Sequence, residues 1–161
     1  MTKTGHSYIK SEISKSNAIL GGEMSGHIFY NDNWYGFDDG IFAALKLLEI
    51  LSSKESTTHE VFNKFTQLFN TPEIKIAVED NEKFEIVEQL KVKLKPEGYD
   101  SILIDGLRLE NKDCWGLVRA SNTTPSLILR FEANTEQKLM EIQELFQKTL
   151  LEINKNLKFL N

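Results

Sequence analysis

The chain has almost no cysteine: Cys114 is the single thiol in 161 residues. One thiol excludes an internal disulfide and a cysteine-rich zinc site, and it fits a reducing compartment. An excess of basic charge is also missing. Nineteen lysines and arginines face 24 aspartates and glutamates, a net charge of −5. That balance argues against non-specific nucleic-acid binding, which rests on a basic surface. No run approaches the roughly 20 apolar residues that span a bilayer. The first residues are polar, with Lys3, His6 and Lys10 and no apolar stretch of the signal-peptide kind. Internal repeats and low-complexity segments are absent as well. These absences lead to the expectation of a soluble, cytoplasmic protein with neither nucleic acid nor membrane as a partner.

What is present suffices for a core. Hydrophobic residues make up 40% and aromatics 10% of the chain, enough for one domain, or for one domain and a piece of another. Ile9 and Ile13 predict an inward helix face, and Gly21-Gly22 a sharp turn after it. Ile28 to Tyr30 read as a strand. Asp38 or Asp39 is expected to cap a helix with Ile41, Leu45, Leu48 and Leu51 as its apolar stripe; capping explains these two aspartates better than a metal does. The polar stretch Ser52 to Ser56 reads as a boundary, with the linker over 53–57. Thr57 with Glu60 forms a capping box for a helix expected to carry Val61, Phe62, Phe65, Leu68 and Phe69 and to end before Pro72. Ile74, Ile76 and Val78 predict a strand. Asp80 is expected to cap the next helix, with Phe84, Val87 and Leu90 inward. Strands are expected at 102–104, at 107–109 as another strand or a continuation of the first, at 115–118 and at 127–131. Asn134 or Thr135 then caps a long helix with Leu139, Ile142, Leu145, Phe146, Leu150 and Ile153 inward. The fold class is therefore α+β. Residues 58–161 form a C-terminal domain with an antiparallel sheet and helices on one face, and residues 1–52 are too few to build a convincing core.

Two polar stretches stand out. Arg119-Ala120-Ser121-Asn122-Thr123-Thr124 lies between two strand-like runs and holds one guanidinium, three hydroxyls, one amide and no acid. Such a loop can turn many donors onto one phosphate; it can equally be an ordinary polar hairpin. The second stretch is Glu23, Ser25 and His27. At two-residue spacing, an extended backbone would put the three on one side. His6 and His27 fit a proton carrier, a phosphate ligand or a hydrogen-bonded structural histidine.

Gly116 to Pro125 resembles the phosphate-binding loop of the alpha-D-phosphohexomutases. Gly22-Glu23-Met24-Ser25-Gly26-His27 resembles the sugar-binding loop of their phosphomannomutase/phosphoglucomutase branch. Lys3-Thr4-Gly5-His6-Ser7 is similar to the segment preceding it. The three occur in the family's order, and the resemblance covers nearly the whole chain but only the last part of the family's architecture.

The resemblance implies that residues 1–52 are the end of an incomplete α/β sugar-binding domain and 58–161 the C-terminal phosphate-binding domain. It implies sugar contacts by Glu23, Ser25, His27 and His6, and phosphate contacts by Arg119, Ser121, Asn122 and Thr123. Arg130 would contact phosphate or brace the loop. The implied reaction interconverts hexose 1-phosphate and 6-phosphate, of mannose or glucose, through a phosphoserine and a bisphosphate. The family's Ser-His-Asn context and its loop of closely spaced aspartates are not found in this chain. No catalytic or metal-ligating residue is therefore assigned. Mg2+ and the hexose 1,6-bisphosphate activator are expected only for a full-length enzyme, whose upstream domains become partners of this fragment. A non-catalytic phosphosugar-binding module and a phosphoglucosamine mutase fragment are the alternatives; Met24 favours the mannose/glucose branch over the latter.

Overall fold

A computed structural model describes residues 1–159. The chain divides into two compact units, Met1–Thr66 and Gln67–Asn161. The division falls later than the 53–57 linker read from the sequence, because a short helix beyond that linker belongs to the first unit.

In the first unit, α1 (His6–Ser16) lays Ile9 and Ile13 against a hairpin of β1 (Leu20–Gly22) and β2 (Ile28–Tyr30). Together with Phe29 these isoleucines form a small core of three buried side chains, with Ala18 packed at its edge. Asp39 caps α2 (Gly40–Ser52) through the Phe42 amide. Of the expected stripe of α2, Ile41, Leu45 and Leu48 are exposed and Leu51 is half-buried, and no residue of that helix is buried. The Thr57–Glu60 capping box is present, but α3 ends at Phe62 (Thr58–Phe62) instead of running toward Pro72. Five residues make little more than one turn, and isolated turns are marginal without packing; Phe62, Phe65 and Phe69 are exposed.

The second unit is one antiparallel sheet with two helices on one face. Its strands are β3 (Phe69–Asn70), β4 (Ile74–Ala77), β5 (Asp100–Ile102), β6 (Leu107–Glu110), β7 (Cys114–Ala120) and β8 (Ser126–Ala133). The order is β3-β8-β7-β6-β5, and β4 pairs with the same edge of β8 as β3 does. The sequence showed no strand at Phe69. The ladder carries past the break at Pro72 because Thr71 bonds Phe131 through its amide and its hydroxyl. The strand expected at 102–104 instead ends at Ile102, and a turn intervenes before β6.

Strict alternation sets the two faces. Leu107, Leu109, Val118, Leu127, Leu129 and Phe131 are buried beneath α4 (Lys83–Lys93) and α5 (Glu136–Ile153). Thr135 caps α5 through the Lys138 amide, and Ile142, Phe146 and Leu150 face inward. For α4 the expected face is corrected. Phe84 is exposed, and the buried stripe is Lys83, Ile86, Val87 and Leu90, continued by Leu94. The i, i+4, i+7, i+11 series starts at a lysine, which hides it from a purely apolar pattern. Asp80 pairs with that lysine instead of capping the helix.

Candidate functional site

Each unit carries one of the two polar stretches, and the chemistry of each is local.

In the first unit, Glu23 to His27 is the tip of the β1–β2 hairpin. The Glu23 amide donates to the His27 carbonyl at 2.9 Å, and the Gly26 amide to the Glu23 carbonyl at 3.0 Å. Gly26 sits at φ +93°, a conformation that favours glycine and turns the chain. The segment is a turn and not an extended run, so Glu23, Ser25 and His27 do not share one strand face. Glu23 and His27 instead oppose each other at the base, and Ser25 and Met24 are exposed at the tip.

Fixed groups surround this hairpin. The Gly5 amide donates to Glu23 Oε1 at 2.8 Å. Glu23 thereby serves the N-terminus of α1, whose cap residue offers no side chain, and the helix dipole favours a carboxylate there. His6 opens that helix and meets His27 edge-on, with ring centroids 4.6 Å apart. Asp38 accepts from His27 Nδ1 at 2.7 Å and from the Ile28 amide at 3.2 Å, and lies 3.5 Å from His6 Nε2. A carboxylate only accepts, so His27 carries a proton on Nδ1, and in the neutral form of the ring the lone pair is on Nε2. Burial pushes the Asp38 carboxyl up, but the His27 hydrogen bond and charge, the Ile28 amide and the His6 charge together hold it below its ordinary value of 3.8. Sequence reasoning took Asp38 and Asp39 as rival caps. Only one side chain can cap α2; the other was the signal for a second role.

In the second unit, Arg119 and Ala120 belong to β7, so the loop proper is 121–125. Ser121 is buried, and its Oγ accepts from the Thr123 amide (3.3 Å), the Thr124 amide (3.1 Å) and Thr124 Oγ1 (2.8 Å). Those two amides therefore point inward, and Ser121 shapes the loop. The Ser121 amide donates to the Ser126 carbonyl and the Ser126 amide to the Thr124 carbonyl, both at 2.9 Å. Lys83, which the sequence did not single out, reaches in from α4. Its Nζ donates to the Thr124 carbonyl at 3.2 Å and to Asp80 Oδ1 at 2.6 Å, with the side chain 5% exposed. The loop is thus closed by its own bonds and pinned from below by a cation.

What remains for a ligand is on the outside. Asn122 and Thr123 are exposed. Arg119 and Arg130 lie on the sheet face away from the helices, as diagonal neighbours: Arg119 pairs with Ile128, and Arg130 is two residues along β8. Among the described residues neither arginine has a carboxylate partner. The carboxylates of that face are engaged elsewhere. Glu110 accepts from Arg108 Nε at 2.6 Å, Arg108 stacks 4.0 Å over the Trp115 ring, and the Trp115 indole N–H donates to Glu132 at 3.0 Å. That chain leaves Arg119 and Arg130 as cations beside a loop of donors, an arrangement suited to an anion.

Comparison with known proteins agrees in two halves. A model described as phosphoglucomutase/phosphomannomutase, alpha/beta/alpha domain III, matches residues 1–69. A second, described as the phosphoglucomutase/phosphomannomutase C-terminal domain, matches residues 73–148. A phosphomannomutase/phosphoglucomutase of Pseudomonas syringae pv. tomato is 50% identical over 95% of this chain and 33% of its own length. A phosphoglucomutase of Neisseria meningitidis serogroup A is 49% identical over 98% of this chain and 34% of its own. The chain thus spans about a third of the length of these relatives. The crystal structure of a phosphoglucomutase/phosphomannomutase family protein from Burkholderia thailandensis matches with a TM-score of 0.89 and 38% identity, over 99% of this chain and 33% of that one.

Proposed function

From the premise that the chain belongs to the phosphoglucomutase/phosphomannomutase family, we propose that it supplies the sugar-reading and phosphate-holding loops of a phosphohexomutase. The whole enzyme would interconvert 1- and 6-phosphates of mannose or glucose through a phosphoserine outside this chain. The observation that carries the reading is the second-unit loop: self-closed through Ser121, pinned by Lys83, and flanked by two arginines without carboxylate partners. In this reading Arg119 grips phosphate oxygens with its fork, Asn122 and Thr123 donate from the loop, and Arg130 adds positive potential. Ser121 acts by holding the loop's shape.

Glu23 would accept from sugar hydroxyls, with Ser25 as a second contact and His27 and His6 beside it. A site built to hydrogen-bond a substrate hydroxyl rejects analogues that lack it. Asp38 holds His27 with Nε2 presented. A phosphate at one carbon and then at the other must visit the same loop, so the sugar hairpin has to accept two ring orientations.

Mg2+ belongs to this proposal only for the whole protein. It demands an oxygen-rich octahedral set, whereas the cluster of converging ligands among the described residues contains two imidazoles. These ligands do not suit that ion.

Met24, exposed at the hairpin tip, points to mannose or glucose over glucosamine. The relatives agree in direction: the phosphomannomutase/phosphoglucomutases reach 50% identity, a probable phosphoglucosamine mutase of Thermococcus gammatolerans 32%.

A chimera tests the proposal. Joining this chain to the upstream two thirds of the Pseudomonas syringae relative should give an enzyme that converts glucose 1-phosphate to glucose 6-phosphate. Arg119→Ala in it should lower kcat/KM about 10–100-fold, the value of a charged hydrogen bond. A folded chimera without turnover, or one indifferent to Arg119→Ala, contradicts the reading.

A further inference from the structure

His6, Glu23 and His27 have a property that sugar reading does not require. One nitrogen of each imidazole and one oxygen of the Glu23 carboxylate all lie within 4.8 Å of one another. The first turn of α1 delivers His6, and the β1–β2 turn delivers Glu23 just after β1 and His27 just before β2. Two further observations make this more than proximity. Asp38 accepts a hydrogen bond from His27 Nδ1 at 2.7 Å, which leaves Nε2 of the neutral imidazole as the nitrogen able to bind a ligand. A carboxylate behind a histidine is the outer-shell arrangement that orients metal-binding imidazoles and raises their basicity. Likewise the Gly5 amide holds Glu23 Oε1 at 2.8 Å and leaves the other oxygen for a ligand.

We propose that His6, Glu23 and His27 form a binding site for a first-row divalent cation of the Zn2+ type, with Asp38 as its outer-shell partner. Two imidazoles and one carboxylate suit Zn2+, Co2+ or Ni2+ and not Mg2+ or Ca2+, which take oxygen. Bonds of about 2.0–2.1 Å in a tetrahedral site place ligand atoms about 3.4 Å apart. The three groups therefore draw together by about an ångström on binding; His6 is exposed and free to do so, while His27 and Glu23 are held. Water fills the fourth position, as in open three-ligand sites. Metal binding stands independently of the proposed sugar chemistry. Mutual exclusion of metal and sugar at these residues rests on that reading, and the titration below uses no sugar.

The test is calorimetric titration of the 161-residue chain with ZnCl2 alone, at neutral pH. Visible absorption of Co2+ reports the geometry, and the imidazole C–H resonances report the ligands. One ion per chain is expected, with tetrahedral Co2+ bands and shifts at His6 and His27. Glu23→Gln keeps an acceptor for the Gly5 amide, so it should fold and yet bind at least about tenfold more weakly, as should His27→Gln. Asp38→Asn should cost about 10–100-fold, the effect of losing an outer-shell partner. His59 is the third histidine of the chain; His59→Gln should change nothing. Absence of saturable binding overturns the site. So does binding that survives Glu23→Gln and His27→Gln, or binding that His59→Gln abolishes.

Discussion

Single residues decide how this chain presents its donors, and the decisive ones were not the most visible. Lys83 has two partners, the Asp80 carboxylate and the Thr124 carbonyl, in a nearly closed pocket. Lys83→Met keeps the bulk and removes the charge. It should destabilise the second unit by about 1–3 kcal/mol in urea unfolding, since the Thr124 carbonyl and the Asp80 carboxylate lose a charged donor. Ser121→Ala removes the acceptor of three hydrogen bonds and should cost about 1–2 kcal/mol, with faster amide exchange at Thr123 and Thr124. Asp38 gives a pH signature. Its carboxyl titrates lower in the fold than in the unfolded chain, so its ionised form contributes stability that is complete above pH 3.8 and is lost as pH falls through the lower folded value. Acid unfolding below pH 3.8 should therefore be steeper in the parent than in Asp38→Asn. The residue types of both loops were legible in the sequence because motif spacing is local. Their supports were not. Lys83 lies 41 residues from Thr124, and Asp38 lies 11 from His27; no periodicity encodes such pairings.

At the scale of elements, patterns with a full face of apolar residues read correctly. The stripe of α5 and the alternation of β7 are long and regular, and their burial follows the pattern, whereas β8 is buried without a break from Ser126 to Leu129 and alternates only beyond it. Short elements read poorly. β3 has two residues and exists because Thr71 continues its ladder onto β8. The end of β5 and the start of β6 were blurred because Ile102 to Leu109 is almost continuously suitable for strand, and the punctuation is one glycine. Gly106 has φ +82°, and a Cβ there would lie 2.1 Å from the Val118 carbonyl and 2.8 Å from Arg119 Cα. Glycine is required on both counts. Gly106→Ala should cost about 2–4 kcal/mol. Because the strain falls on Arg119, it should also weaken phosphate binding; equal phosphate affinity in the folded variant would separate Gly106 from the loop.

At the scale of the molecule, the first unit has the smaller core. Its buried core is three side chains, while Ile41, Leu45, Leu47, Leu48 and Ile50 of α2 are each 46–79% exposed. A helix this apolar belongs against a partner. The chain by itself should therefore bind a hydrophobic dye and scatter light above its 18.5 kDa, and both signals should fall when the upstream two thirds of a relative are joined to it. A clean monomer without dye binding would show that α2 needs no cover. The division of labour between the units leads to the most direct experiment. The isotope-labelled chain is titrated with inorganic phosphate and, separately, with mannose 1-phosphate, beside Arg119→Ala. Phosphate should move the amides of Asn122 and Thr123 only. The sugar phosphate should move these and also the imidazole resonances of His6 and His27, and Arg119→Ala should abolish the loop shifts for both ligands. If millimolar mannose 1-phosphate leaves the loop amides still, or moves them equally in Arg119→Ala, the loop is a polar hairpin and the phosphosugar account fails.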